Sequence, residues 1–197
     1  TISGTSSIMQ FDAWNWEDAA IKKDDAIHIN WPNSLTRGRW WLGEDPSLKT
    51  DKNYSKKVDK IKSFFSDAKR FLANSATTEN LPFKATKGLF NGSQKIFIHV
   101  NGEKEITDAI KSFKSLGIKN IVLVHAKGAE NVADLLIKNN ISVIIERSHR
   151  IPNGEDDDYD LSYKTAKILI DKGITVGLGM EGQMERMNTR NLPFYAG

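Results

Sequence analysis

The sequence predicts an α/β fold: roughly four parallel strand–helix units behind a tryptophan-rich amino-terminal segment. Three observations carry this. From residue 95 onward, short apolar runs ("IFIHV", "NIVLVH", "ISVIIE", "ITVGLG") are separated by stretches of helical periodicity. The runs are apolar at nearly every position, as in parallel strands covered on both faces. Their starts lie about 20–35 residues apart, the length that a right-handed crossover through a helix requires.

All five tryptophans, Trp14, Trp16, Trp31, Trp40 and Trp41, fall within the first 50 residues. There "IMQFDAW" reads as a strand, "WEDAAIKKDDA" as a short helix and "AIHINWP" as a strand ended by Pro32. Tryptophan carries a large apolar area, so this segment is expected to pack against the rest of the domain. His28 is read as a packed or surface histidine. Residues 55–73 form an amphipathic helix, with Val58, Ile61, Phe64, Phe65, Ala68, Phe71 and Leu72 at spacings of three and four and lysines on the other face. Residues 74–94, rich in Asn, Ser, Thr, Pro and Gly, read as a connector. "IFIHV" then leads into a helix from about Glu103 to Leu116, stopped by Gly117. "NIVLVH" precedes "AENVADLLIK", "ISVIIE" precedes a polar loop and "SYKTAKILID", and "ITVGLG" comes last. The domain reading is 1–94 (tryptophan-rich segment, helix and connector) and 95–197 (the repeated units), as one structural domain.

Four such units make half of an eight-stranded barrel, and a whole barrel takes about 250 residues. An isolated half leaves sheet edges open. The chain therefore reads as a partial (β/α) barrel, either a piece of a longer protein or an open sheet. Its edges would be covered by the tryptophan-rich segment or by a partner chain, as in a homo-oligomer. The opening "TISGTSSIMQF" reads as mid-protein sequence.

Composition excludes several classes. With 39% hydrophobic and 27% charged residues the chain is globular rather than disordered. There is no cysteine, which removes disulfides and thiolate metal sites. No apolar run approaches the ~20 residues of a membrane helix, and no signal-peptide pattern is present. The net charge of +3, spread along helices, gives no case for nucleic acid. Both a cytoplasmic and a periplasmic or secreted setting remain open.

In parallel α/β folds the chemistry sits at the carboxyl ends of the strands. Here the first strand ends in His99, the second in His125 and the third in Glu146 and Arg147, and the fourth leads to Glu181 in "GLGMEGQ". Two imidazoles and a carboxylate suit zinc or a similar divalent ion. His99, His125 and Glu181 are therefore the candidate metal ligands; the competing reading is that each strand-end histidine is structural.

The stretches "IFIHVNGEKEITDAI", "IVLVHAKGAENVADLLIKNNISVII", "HRIPNGEDDDYD" and "GLGMEGQMERMNTRNLPFYAG" resemble the carboxyl-terminal half of amidohydrolase-superfamily proteins, in particular the imidazolonepropionase-like and prolidase-like group. "ISGTSSIMQFDAWNWEDA" resembles that group's middle region. The resemblance implies a metal-dependent hydrolase built on a distorted (β/α) eight-stranded barrel. Its substrate would be a cyclic amide, amidine or peptide-like C–N bond, cut by metal-activated water. It matches His99 to the ligand of the fifth barrel strand and His125 to that of the sixth. Glu181 stands where the superfamily places an aspartate that serves as ligand and proton shuttle, which makes Glu181 the candidate catalytic residue. The glutamate adds a methylene and moves the carboxylate by about an ångström or more. The His-x-His pair of the first barrel strand does not occur in this chain, and the bridging lysine or glutamate of the fourth is unassigned. The isolated chain is therefore expected to show no measurable zinc-dependent amidase activity.

The run "EDDDYD" reads as a solvated loop, and the resemblance places it at the substrate mouth. Arg147 and Arg150 flank His149; they either hold a substrate carboxylate in two-point contact or neutralise the acidic loop. With Arg190, in a "RNLPF" stretch similar to the family's, they are the candidate substrate-binding residues. Two hypotheses result: part of a metal-dependent amidohydrolase, or a catalytically inactive relative serving as a binding or scaffold protein.

Overall fold

The computed structural model describes residues 1–74, 79–146, 148–149, 157–180 and 188–196. The chain is α/β and divides into two compact units: Thr1–Ile98 with Asp108–Ile121, and His99–Thr107 with Val122–Gly197.

The first unit opens on an antiparallel hairpin of β1 (Ile2–Met9) and β2 (Ala20–Asn30). "WEDAAIKKDDA" is a helix only over α1 (Trp16–Ala19), where the Asn15 side chain accepts from the Asp18 N–H; from Ala20 the chain is strand. The reason is a bulge. Between the Ser6–Ala26 and Ile8–Lys22 pairs, one residue of β1 faces three of β2, and Asp24 takes φ 50°. A bulge breaks the period-2 alternation that marks a strand in sequence. A small hairpin, β3 (Leu35–Arg37) with β4 (Leu48–Thr50), follows.

Helix α2 (Tyr54–Ala73) matches the sequence periodicity and buries Tyr54, Val58, Ile61, Phe65 and Ala68. The Phe65 ring meets Phe113 edge-on at 5.3 Å, and Phe113 meets Trp31 at 5.9 Å. The Trp31 indole N–H donates to Tyr54 Oη (3.2 Å), whose hydroxyl donates to Asp108 (2.8 Å). A buried indole needs such an acceptor. The stretch read as a connector contains two short helices, α3 (Leu81–Lys84) and α4 (Lys87–Asn91). Asn80 caps α3 by accepting from the Phe83 N–H, and Pro82 suits its first turn. Phe83 then covers Phe64 and Phe71 of α2 at 5.3 and 5.5 Å. Helices this short escape a reading based on periodicity.

The tryptophans depart from expectation. Only Trp31 is buried; Trp14 is 97% exposed, and Trp16, Trp40 and Trp41 are exposed as well. Trp14 precedes a four-residue helix, and Trp40 and Trp41 occupy a single 3-10 turn between three-residue strands. Elements of that length present no apolar face to pack against.

The parallel strands are β5 (Lys95–Val100), β6 (Ile121–His125), β7 (Ser142–Ile145) and β8 (Val176–Leu178). Between them come α5 (Glu103–Ser115), α6 (Ala133–Lys138) and α7 (Leu161–Asp171). The six-stranded sheet runs β1-β2-β5-β6-β7-β8, so the tryptophan-rich segment supplies the strand at the β5 edge. Gly117 and Gly173, at φ 87° and 84°, end α5 and α7 in the left-handed conformation that glycine adopts without penalty.

Ile96, Ile98, Val100, Leu123, Val143 and Ile145 are buried on one side of the strands, whereas Phe97, Val122, Val124 and Ile144 are only half-buried. The sequence led us to expect cover on both faces. No pairing of β8 with β1 closes the described sheet, and its second face is only partly covered. No described helix is long and apolar enough to cross a membrane.

Candidate metal centre

β5 and β6 run side by side. Ile96 N–H donates to Asn120 O at one end, and Ala126 N–H donates to Val100 O at the other, both at 2.9 Å. In a parallel ladder these bonds set Ile96 beside Ile121 and Val100 beside His125. Side chains alternate along a strand, so regular geometry would send His99 and His125 to opposite faces. The backbone overrides this. His125 and the buried Ala126 adopt φ 69° and 46°. The left-handed region costs a non-glycine residue about 1–2 kcal/mol, although histidine is among the types enriched there.

The loops after the two strands hold this turn in place. Lys127 N–H donates to Asn101 Oδ1 (3.1 Å), Gly102 N–H donates to Lys127 O (2.9 Å), and Ala129 N–H donates to Ala126 O (2.9 Å). Gly102 sits at φ 90°. Strained residues persist where the surroundings over-determine them.

The result is a line of three side chains. His99 Nδ1 lies 3.3 Å from His125 Nε2, and His125 Nδ1 lies 2.6 Å from Glu146 Oε1. The imidazole planes are inclined at 54°. The His125–Glu146 contact is an ion-pair distance rather than a linear hydrogen bond. Lys127 Nζ stands 3.8 Å from Glu146 Oε2. The His125 side chain is 12% exposed and that of Glu146 32%. A cavity of about 10 Å³, bounded by His125, Lys127, Glu146, Ser162 and Thr165, has room for about one water.

The imidazole pair fits a divalent ion. Two nitrogens bound to tetrahedral zinc at about 2.0–2.1 Å are separated by about 3.3–3.4 Å. The observed separation is 3.3 Å, a distance at which one ring nitrogen can equally donate to the other. The Glu146 carboxylate sits on the far nitrogen of His125, where a metal-binding histidine typically meets a carboxylate or a carbonyl. Among the described residues no group of three or more His, Asp or Glu side chains is placed to share one ion.

Glu181, Arg147 and Arg150 lie outside the described residues. Arg190 is exposed, on the 3-10 turn Thr189–Asn191. His149 packs edge-on against Tyr163 and Tyr195, at 5.4 and 4.9 Å. His28 is half-buried, with Nε2 2.9 Å from Ser6 Oγ and its ring against Phe97. The described part of the acidic run is tied to Lys164, whose Nζ lies 2.9 Å from Asp158 and 2.6 Å from Asp160. The two carboxylates beside its ammonium raise the Lys164 pKa.

Sequence reasoning placed Glu146 at the same rim without grouping it with the histidines, and overlooked Lys127. The available signal was the last residue of "ISVIIE": a carboxylate ending the strand next to the one that ends in a histidine.

No family model matches the chain, and no curated protein sequence does. Among solved structures it is similar to an amidohydrolase from Thermotoga maritima MSB8, with 14% identity and a TM-score of 0.66 over 90% of this chain and 47% of that one. The chain thus spans about half the length of that structure. At this identity the likeness shows the fold alone: an amidohydrolase-like α/β arrangement.

Proposed function

We propose that the chain is the carboxyl-terminal part of a metal-dependent amidohydrolase of the imidazolonepropionase-like group, acting on C–N bonds of cyclic amide, amidine or peptide-like substrates. The observation that carries the reading is the imidazole pair, whose nitrogens are spaced by the edge of a tetrahedral zinc site. The amidohydrolase-like fold supports it. His99 and His125 hold a divalent ion, zinc by ligand type, with Glu181 as a further ligand. Such an ion polarises a carbonyl and lowers the pKa of water. Glu181 accepts the proton from water and delivers it to the leaving nitrogen. Arg147, Arg150 and Arg190 hold an anionic group of the substrate.

The test is a copper titration followed by electron paramagnetic resonance, because Cu²⁺ binds N-donor sites most tightly and its spectrum counts nitrogens. The protein is expected to bind one Cu²⁺ through two imidazoles, in competition with Zn²⁺, and His99→Ala to reduce this to one with a large loss of affinity. Copper bound elsewhere, or unaffected by His99→Ala, would favour a binding or scaffold protein that keeps the fold without the metal.

A further inference from the structure

We infer that Glu146 is a positioning residue: its carboxylate fixes the tautomer and orientation of His125 so that Nε2 faces His99. The inference deepens the metal-centre reading and rests on it only for the second of its two readouts.

The strand register works against a His99–His125 pair, as shown above. The left-handed turn at His125 and Ala126 brings the His125 ring round but does not choose which nitrogen leads. The two ring nitrogens differ chemically: in a neutral imidazole one donates and the other accepts. Which is which depends on what each one meets.

Glu146 makes that choice. Its Oε1 is 2.6 Å from His125 Nδ1, an ion-pair distance without the alignment of a hydrogen bond. An ionised carboxylate this close to the nitrogen disfavours a lone pair there and favours an N–H, because it can only accept. Nδ1 is therefore the N–H, and Nε2 carries the lone pair aimed toward His99 Nδ1. Glu146 is itself held in place. It follows Ile145, which pairs with His125 across β6 and β7 and accepts the Gly179 N–H at 2.8 Å. Lys127, from the turn that carries His125, approaches its second oxygen. The same short loop thus supplies both the imidazole to be oriented and the cation that steadies the group orienting it.

The first readout is nitrogen-15 NMR of histidine-labelled, metal-free protein at mildly alkaline pH, which reports the tautomer of His125 directly. The wild type is expected to show the Nδ1–H form. Glu146→Gln, whose amide oxygen still accepts, should keep it; Glu146→Ala should lose it. The second readout is Cu²⁺ affinity, which Glu146→Ala should weaken about 10–100-fold and Glu146→Gln should largely restore. An Nε2–H form in the wild type overturns the inference even if Glu146→Ala does not fold. So does a Glu146→Ala protein that keeps the wild-type tautomer and binds copper within twofold of wild type. If the tautomer follows Glu146 while the wild type binds no copper through two imidazoles, the positioning role stands and the metal-centre reading falls.

Discussion

Asp25 offers a sharp test of how the amino-terminal hairpin is fastened to the parallel strands. Its carboxylate is 6% exposed, 2.6 Å from Lys22 Nζ and 2.8 Å from Lys95 Nζ. Lys22 and Asp25 are three apart, a spacing that faces opposite sides of a regular strand; the bulge at Asp24 brings them together. Lys22 also donates to Ser93 O (2.9 Å), and Gln94 donates to Asp24 O (2.8 Å). The lysine side chains are 47% and 42% exposed, so their ammonium groups can turn to water if the carboxylate is lost. The carboxylate cannot. Removing the acid and removing the cations should therefore cost different amounts. Asp25→Asn forfeits charge-assisted hydrogen bonds worth about 1.5–3 kcal/mol, discounted for the exposed partners to about 1–2 kcal/mol. Lys22→Met with Lys95→Met strands a buried charge, at about 3–5 kcal/mol. The triple variant should regain much of that loss.

The pH dependence has a definite sign. Hydrogen bonds from Lys22 and then Lys95 hold the Asp25 pKa below its ordinary value. The folded-state pKa is thus lower than the unfolded one. The stabilisation is complete above the unfolded value of about 3.9 and is lost as pH falls through the folded value. Urea denaturation across the acid range measures this. Asp25→Asn should flatten the acid limb of the stability curve. If Asp25→Asn costs more than the double lysine variant, or the acid limb is unchanged, the desolvation argument is wrong.

Phe113→Ala should destabilise the protein by about 3–5 kcal/mol in urea unfolding, because the ring is buried against Phe65 and Trp31 and its removal leaves a cavity. Gly102→Ala should cost about 1–2 kcal/mol, with a lower urea midpoint and an unchanged m-value: the position is left-handed, and a Cβ there meets the Glu105 carboxyl. Trp14→Ser and Trp40→Ser should each leave stability within about 0.5 kcal/mol, since both side chains stand in solvent. A larger loss in the tryptophan variants would mean that these rings pack in solution.

Helix α2 and the four parallel strands were legible in the sequence because long amphipathic or uniformly apolar segments have few ways to bury themselves. The rims that carry His99 and His125 followed from that pattern. Short-range geometry was not legible. The bulge at Asp24 made half of β2 look helical, and α3 and α4 are too short to show a period. Most of the tryptophans, expected inside, stand outside because burial depends on a neighbouring surface that composition does not specify. The meeting of His99 with His125 was decided by tertiary structure alone. Strand alternation separates the two rings; a left-handed turn, three loop hydrogen bonds and the Glu146 carboxylate bring them together. Sequence places residues along a strand by a local rule of alternation, whereas the departure from that rule is stabilised by contacts among segments distant in the chain.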